Sequence, residues 1–436
     1  MVEVAFYGDD FTGSTDAMVQ FARVGLRTVL LVKLPPASEL AELAARHDVI
    51  GVAGIARALP PDEQEAEVRP VLQALHDLGP RLIQYKVCST ADSSPTRGSI
   101  GRALEIGRDI CAPTTPTPIL IAQPELGRYT VFSHHFATES GTTHRLDRQP
   151  TMSTHPSTPI HESDLRLHLS AQTTLTITAE HLHEPPTRVA PPPTPQPTTA
   201  PHAAATPTPG AEPTRAPDVE SGRVAGAGSA SPPDAVVLDA LVERDLREHG
   251  PRILRSRFAV GSGGLSRAVA LALRPDGVGG EGVVRGEGQV LVVAGSQSRR
   301  TAEQIEDVRA HGWTVLPLAD GVAQQAVAAF GAGVDGVVVH TNELTPEELP
   351  QLPHALAEVV RTVSAETAVR RLVVAGGDTS GQVLRALDVT ALEFAASLAP
   401  GVHLCRTTSP YVDEVLLKPG QLGPVGLFSA LGRRSG

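Results

Sequence analysis

The sequence predicts an α/β protein of two domains, each built on a mainly parallel sheet. Three observations predict it. Short apolar runs of strand length alternate with helical runs; several runs end in turns of glycine, hydroxyl and carboxylate residues that open onto helices; and 436 residues are more than one core usually serves.

Residues 2–7 read as the first strand, followed by the polar turn Gly8-Asp9-Asp10-Phe11-Thr12-Gly13 and a helical run. A first strand ending in two adjacent carboxylates, Asp9 and Asp10, presents them at the carboxyl edge of a parallel sheet, where open α/β folds bind ligands. Both would serve equally as caps of the helix that follows. Residues 27–32, 49–54 and 82–87 read as further buried strands, with a helix over 62–77. The segment after 87 offers many hydroxyls and then Arg97 before a helix; with Lys86 at the strand end, it suits a polyhydroxylated acid, although a single Lys or Arg more often simply faces solvent. A strand and a loop follow, carrying Glu125, Arg128, His134 and His135. Neighbouring histidines on a strand point to opposite faces, so no metal is assigned there.

From about 185 to 233 the composition changes, and about a third of the chain's 38 prolines fall there. Such a stretch buries too little apolar surface to offset ordering and reads as a disordered insertion. Residues 235–249 read as an amphipathic helix, and VGSGGL as a glycine turn that lacks the GxGxxG spacing. Six glycines over 275–288 read as a linker. This divides the chain into an N-terminal domain over 1–274 and a C-terminal one over 289–436.

In the second domain, strands over 290–294, 314–318, 336–340 and 372–376 alternate with helices near 321–330, 352–365 and 380–387. Gly376-Gly377-Asp378-Thr379-Ser380 follows a four-residue apolar run and starts a helix. Unpaired N–H groups and the positive helix end converge at such a turn, and glycines admit a phosphate closely; taken alone, it could equally be a well-capped turn. Ser296 and Ser298 lie in a second turn of this kind, and Gly420 and Gly423 in a third, after Lys418. Three in one domain point to phosphate or nucleotide binding.

A formal net charge of −11 argues against general binding to nucleic acid or an anionic membrane. The three cysteines, Cys88, Cys111 and Cys405, are scattered without CxxC spacing, which fits a reducing cytoplasm. No apolar run reaches the roughly 18 residues of a membrane span, and none reads as a signal peptide.

Taken together, GDDFTGSTDA, YKVCST with SSPTRGSIG, PELGRYTVF, VGSGGL, VAGSQSRRTAEQI, VAGGDTSGQVL and LLKPGQLG resemble the four-carbon acid sugar kinase family, in its order along the chain. The resemblance implies an N-terminal domain that holds a sugar acid, a C-terminal domain that binds ATP, and phosphoryl transfer to a terminal hydroxyl in the cleft between them. It puts ATP contacts at Ser298, at Gly376 to Thr379, and at Gly420 and Gly423, with substrate contacts around Asp10, Lys86 and Arg97. Mg²⁺ would bridge phosphate oxygens, helped by Asp378. Asp10 would orient or deprotonate the acceptor hydroxyl, Asp9 being the alternative, while Lys86, Arg97 and Arg128 neutralise the substrate carboxylate. Where much of the family reads KIDSTLRGN, this chain reads KVCSTADSSPTRGSIG. That departure and the insertion imply a subgroup whose substrate differs from a simple four-carbon acid, such as 3-oxo-isoapionate. A homodimer is one candidate for the oligomeric state, which the sequence leaves open.

Two rivals are weighed. A dinucleotide-dependent oxidoreductase needs a GxGxxG turn that is missing; the retained glycine turns argue against a non-catalytic sugar-acid sensor or scaffold that uses the proline-rich segment for a partner, and an assay decides between sensor and kinase. Deleting residues 187–231 is expected to spare both folding and phosphorylation; loss of both would make the insertion structural.

Overall fold

The computed structural model describes residues 2–182, 232–277, 280, 282, 288–296, 298–341 and 351–432, with the backbone only for 377–379. The proline-rich run and part of the glycine-rich linker lie outside the described residues.

The strands are, in chain order, β1 Val4–Gly8, β2 Thr28–Leu31, β3 Val49–Ala53, β4 Leu82–Lys86, β5 Thr117–Leu120, β6 Arg128–Val131, β7 His134–Glu139, β8 Thr142–Arg145, β9 Ile177–Glu180, β10 Ala235–Leu238, β11 Phe258–Gly261, β12 Val290–Ala294, β13 Thr314–Pro317, β14 Gly336–His340, β15 Arg371–Ala375, β16 Ala391–Ala399, β17 Val402–Thr407 and β18 Glu414–Lys418. Among the described residues, fifteen of them form one sheet in the order β13-β14-β12-β15-β18-β17-β16-β2-β3-β1-β4-β11-β5-β10-β9, and β6-β7-β8 form a small antiparallel sheet. Eight strands from β2 to β9 are mutually parallel, as are β13, β14, β12, β15 and β18. Between the edge strands β9 and β13 their runs are almost wholly buried, as strands covered by helices on both faces must be.

The two parallel sets are not separate sheets. The hairpin of β16 and β17 returns antiparallel from β18, and β16 pairs antiparallel with β2 through Ala391 with Leu31 and Leu392 with Leu30. Drawn flat, this would point the two carboxyl edges in opposite directions. Six steps separate β15 from β1, and a twist of ~20–25° per strand rotates them by roughly 120–150°, which brings those edges back toward one another. One apolar cluster crosses the seam, including Phe11, Met18 and Leu30 from one half and Leu384, Leu387 and Leu392 from the other.

The helix Phe11–Ala22 follows β1 and buries Phe11, Met18, Val19 and Phe21. The helix Gly377–Ala386 follows β15. The start of the first packs against the second one turn in: a Cβ at Gly381 would lie 2.7 Å from Phe11 Cδ2. Glycine here is a packing requirement.

One expectation is corrected. Residues 235–249 are not a single helix but the strand β10, paired with β5 and β9, followed by the helix Glu243–Ile253. Ala-Val-Val-Leu is a continuous apolar run, which periodicity cannot distinguish from a buried helix segment. Among the described residues, no helix is long and apolar enough to cross a membrane.

Replacing Gly381 with Val should destabilise the fold by about 1–3 kcal/mol, read from denaturant midpoints. Combined with Phe11→Ala, the two losses should be less than additive, because they act on one contact; strict additivity would show that the contact carries no strain.

Candidate functional site

At the carboxyl end of β1, Asp9 is buried, with 1% of its surface exposed, whereas Asp10 is partly open. Asp10 caps the helix Phe11–Ala22, accepting from Gly13 N at 3.1 Å and Thr12 Oγ1 at 2.9 Å. Arg57 unites the carboxylates: its Nη2 donates to Asp9 Oδ1 and to Asp10 Oδ1, both at 2.7 Å. Burial pushes the Asp9 carboxyl up to about 6, against the pull of Arg57. Burial also opposes the Asp10 charge, but Arg57 and Lys86 outweigh it, together with bonds from Thr12 and Gly13, and hold it below the usual carboxylate range.

Lys86 ends β4, buried beside the same turn. Its Nζ donates to Val87 O at 2.9 Å, and a Cβ at Gly13 would stand 2.7 Å from it. Thus Asp9, Asp10 and Lys86 come together as the sequence implies. Arg97 is exposed at the rim, where Nη1 donates to Ala58 O at 3.1 Å, next to Arg57 in the chain. Arg128 Nη1 is occupied with backbone carbonyls, Leu126 O at 2.8 Å and Thr138 O at 2.9 Å among them.

Arg57 is the residue at this carboxylate turn that sequence reasoning missed. Its signal is an arginine four positions beyond the end of β3; only the pairing of β3 with β1 carries it to Asp9. Cys88 lies in the electrostatic field of both Arg57 and Arg128. The small sheet fixes this wall: His135 Nε2 donates to Ser89 O at 2.8 Å and its Nδ1 accepts from Thr130 Oγ1 at 2.9 Å. Burial pushes the His135 ring down to about 4, so it is neutral and holds this tautomer. Among the described residues, no group of three or more His, Cys, Asp or Glu is placed to hold a metal ion.

In the other half, β12, β15 and β18 are neighbours, so their three turns meet at one edge. Gly295 N and Ser296 N donate to Ala375 O, and Gly376 N to Lys418 O, each at 3.0 Å. Ser298 caps the helix Arg299–Ala310, accepting from Thr301 N, and its hydroxyl donates to Gly420 O. Gly376 has φ +138°, which side chains rarely adopt. Gly420 leaves a cradle that a Cβ would fill, 2.5 Å from Ser296 Oγ. Gly423 turns the chain at φ +90°, with Gln304 Nε2 donating to Leu422 O and Pro424 O. Gly377, Asp378 and Thr379 form the first turn of their helix. The starts of two helices of ten or more residues thus face one space, an arrangement that favours a multiply charged anion.

Beneath these turns lies Lys418, fully buried, whose Nζ donates to Thr301 Oγ1 at 2.7 Å and Gly420 O at 2.8 Å. The sequence shows it only as the last residue of a strand. Burial, with Arg300 adding to it, pushes its ammonium down to about 7. The contact of Phe11 with Gly381 sets the carboxylate turn and the glycine turn of β15 on adjoining helix starts.

Comparison with known proteins adds independent findings. A family model described as a sugar-binding N-terminal domain matches residues 4–269, and one described as a nucleotide-binding C-terminal domain matches 291–428. The chain is 35% identical to a 3-oxo-isoapionate kinase of Paraburkholderia graminis, over 99% of this chain and 95% of that protein. It is 30% identical to a 3-oxo-tetronate kinase of Pseudomonas fluorescens, over 98% and 96%. A solved Salmonella typhimurium structure has a TM-score of 0.71 at 22% identity and covers 98% of both chains, a likeness that speaks for the fold.

Gly376→Val should weaken nucleotide binding at least tenfold, about 1.4 kcal/mol, by calorimetric titration. Unchanged affinity would remove this turn from the binding site.

Proposed function

The chain belongs to the four-carbon acid sugar kinase family, and from that premise we propose that it uses ATP and Mg²⁺ to phosphorylate a terminal hydroxyl of a 3-oxo sugar acid. It is a sugar-acid kinase. The observation that carries the reading is the adjacency of a carboxylate turn, ringed by Arg57 and Lys86, to three phosphate-type turns in a nucleotide-binding domain. Within the class we favour 3-oxo-isoapionate over 3-oxo-tetronate, because similarity to the kinase of the former is greater. The sugar acid is assigned to residues 1–274 and ATP to 289–436, with 275–288 between them, and the cytoplasm is the compartment that the three free cysteines suit.

The turns at Ser296 and Ser298, at Gly376 to Thr379, and at Gly420 and Gly423 receive the phosphates, with the first turns of the helices Arg299–Ala310 and Gly377–Ala386 offering N–H groups that no carbonyl within the helix can take. Mg²⁺ in such sites binds mainly through phosphate oxygens with one or two carboxylates, a demand that Asp378 at the helix start suits; bound there, it would neutralise charge on the phosphates. Phosphoryl transfer asks for positioning and charge neutralisation more than for a strong base. Asp10 fits that demand, for it is ionised, partly open and fixed by its cap. It accepts the hydrogen bond of the acceptor hydroxyl and aligns it. Asp9, deeper and harder to ionise, sets the position of Arg57. Lys86 and Arg97, with Arg128, supply positive charge for the substrate carboxylate.

Two outcomes test this. Asp10→Asn should lower kcat about 10²-fold or more while leaving the affinity for ATP unchanged; a wild-type rate would end its role. As pH falls through about 6, Asp9 takes up a proton and Arg57 loses a charged partner. The rate should therefore fall on the acid side, with Asp9→Asn flattening that limb. The reaction itself is checked by following ADP production across 3-oxo and reduced four- to six-carbon sugar acids; ligand-induced thermal stabilisation without ADP production would replace the kinase reading with a sensor.

A further inference from the structure

Lys418 is a buried cation without a buried anion. Its Nζ meets only neutral acceptors, Thr301 Oγ1 and Gly420 O, and the Phe428 ring centre lies 6.0 Å away. Among the described residues it forms no ion pair with a carboxylate. The charged groups on the elements packed around it are otherwise engaged: Glu303 pairs with Arg299 and Arg300, and Asp307 accepts from Ser429 Oγ at 2.8 Å. A buried charge is costly unless paired, so its persistence at a binding edge calls for a partner that arrives from outside.

Resting on the nucleotide-binding reading above, we propose that the phosphate chain of the nucleotide is the missing counter-ion of Lys418, so that binding fixes the charge of this lysine. Lys418 is a positioning residue. An ammonium has three N–H groups, and two of them here tie the helix start at Thr301 to the turn at Gly420. Drawing Gly420 O inward holds this turn against the helix cap at Ser298. Its charge then acts on the phosphates across the turn, where low polarisability strengthens it.

The sign of the linkage follows. In the free protein, burial and Arg300 disfavour the charged form, and the lysine titrates at about 7. A bound polyanion favours the charged form and raises that value. Between the two values nucleotide binding takes up a proton, and affinity weakens as pH rises above about 7. ATP and ADP complexed with Mg²⁺ are poor sources of such a signal at pH 8, because the metal already holds their phosphates deprotonated.

The test is calorimetric titration with Mg-ADP at pH 8 in two buffers of different ionisation heat. Wild type should bind with a fractional proton uptake. Lys418→Arg, charged at every accessible pH, should bind without uptake, and Lys418→Met should bind at least about tenfold more weakly. Wild-type binding with no uptake and with affinity constant from pH 6.5 to 9 overturns the proposal even if neither variant folds. So does Lys418→Met binding as tightly as wild type. No binding by wild type would instead overturn the nucleotide reading on which the proposal stands.

Discussion

The constraint on which the rest depends is the antiparallel pairing of β16 with β2. It joins two parallel sheets of opposite sense into one, and strand twist alone then decides where their carboxyl edges lie. With less twist, or with a parallel seam, the turn after β1 and the turn after β15 would part. The hairpin of β16 and β17 is thus the spacer that sets the rotation between the edge that carries the carboxylate turn and the edge that carries the glycine turns. The shared apolar cluster fixes it, since burying side chains such as Phe11 and Leu392 contributes about 1.5–3 kcal/mol each.

What was legible in the sequence was local. Strand, glycine turn and helix start are neighbours in the chain, so GGDTS, GSQS and KPGQLG announce themselves, as does the carboxylate pair Asp9 and Asp10. What was not legible was the pairing that brings distant residues together. Arg57 has no motif of its own; it matters because β3 lies beside β1. Lys418 reads as one more strand residue until the turns close over it. The seam itself is two residue pairs long and leaves no mark on composition, while β10 was mistaken for helix because four apolar residues satisfy either period.

The two edges handle charge differently. On the acceptor side, opposite charges balance within the protein: Arg57 is shared by two carboxylates, and Lys86 and Arg97 are occupied by carbonyl oxygens. Any ligand that enters there, as proposed for the sugar acid, would compete with existing partners, which favours ligands whose hydroxyls replace those bonds. At the three glycine turns the N–H groups of Gly295, Ser296 and Gly376 are spent on the carbonyls of Ala375 and Lys418, which fixes the turns and leaves the first turns of the helices Arg299–Ala310 and Gly377–Ala386 as the ends that face an anion.

The close approach of Gly381 to Phe11 has a consequence for how such chains can diverge. A bulkier residue on either helix must be answered on the other, although one belongs to the sugar-binding half and the other to the nucleotide-binding half. The halves are therefore not interchangeable cassettes. A hybrid assembled from two relatives and joined between 275 and 288 would inherit the two sides of this contact from different parents, along with the two sides of the seam. Recombination at the linker, which the domain boundary invites, would be punished at a place far from the join along the chain.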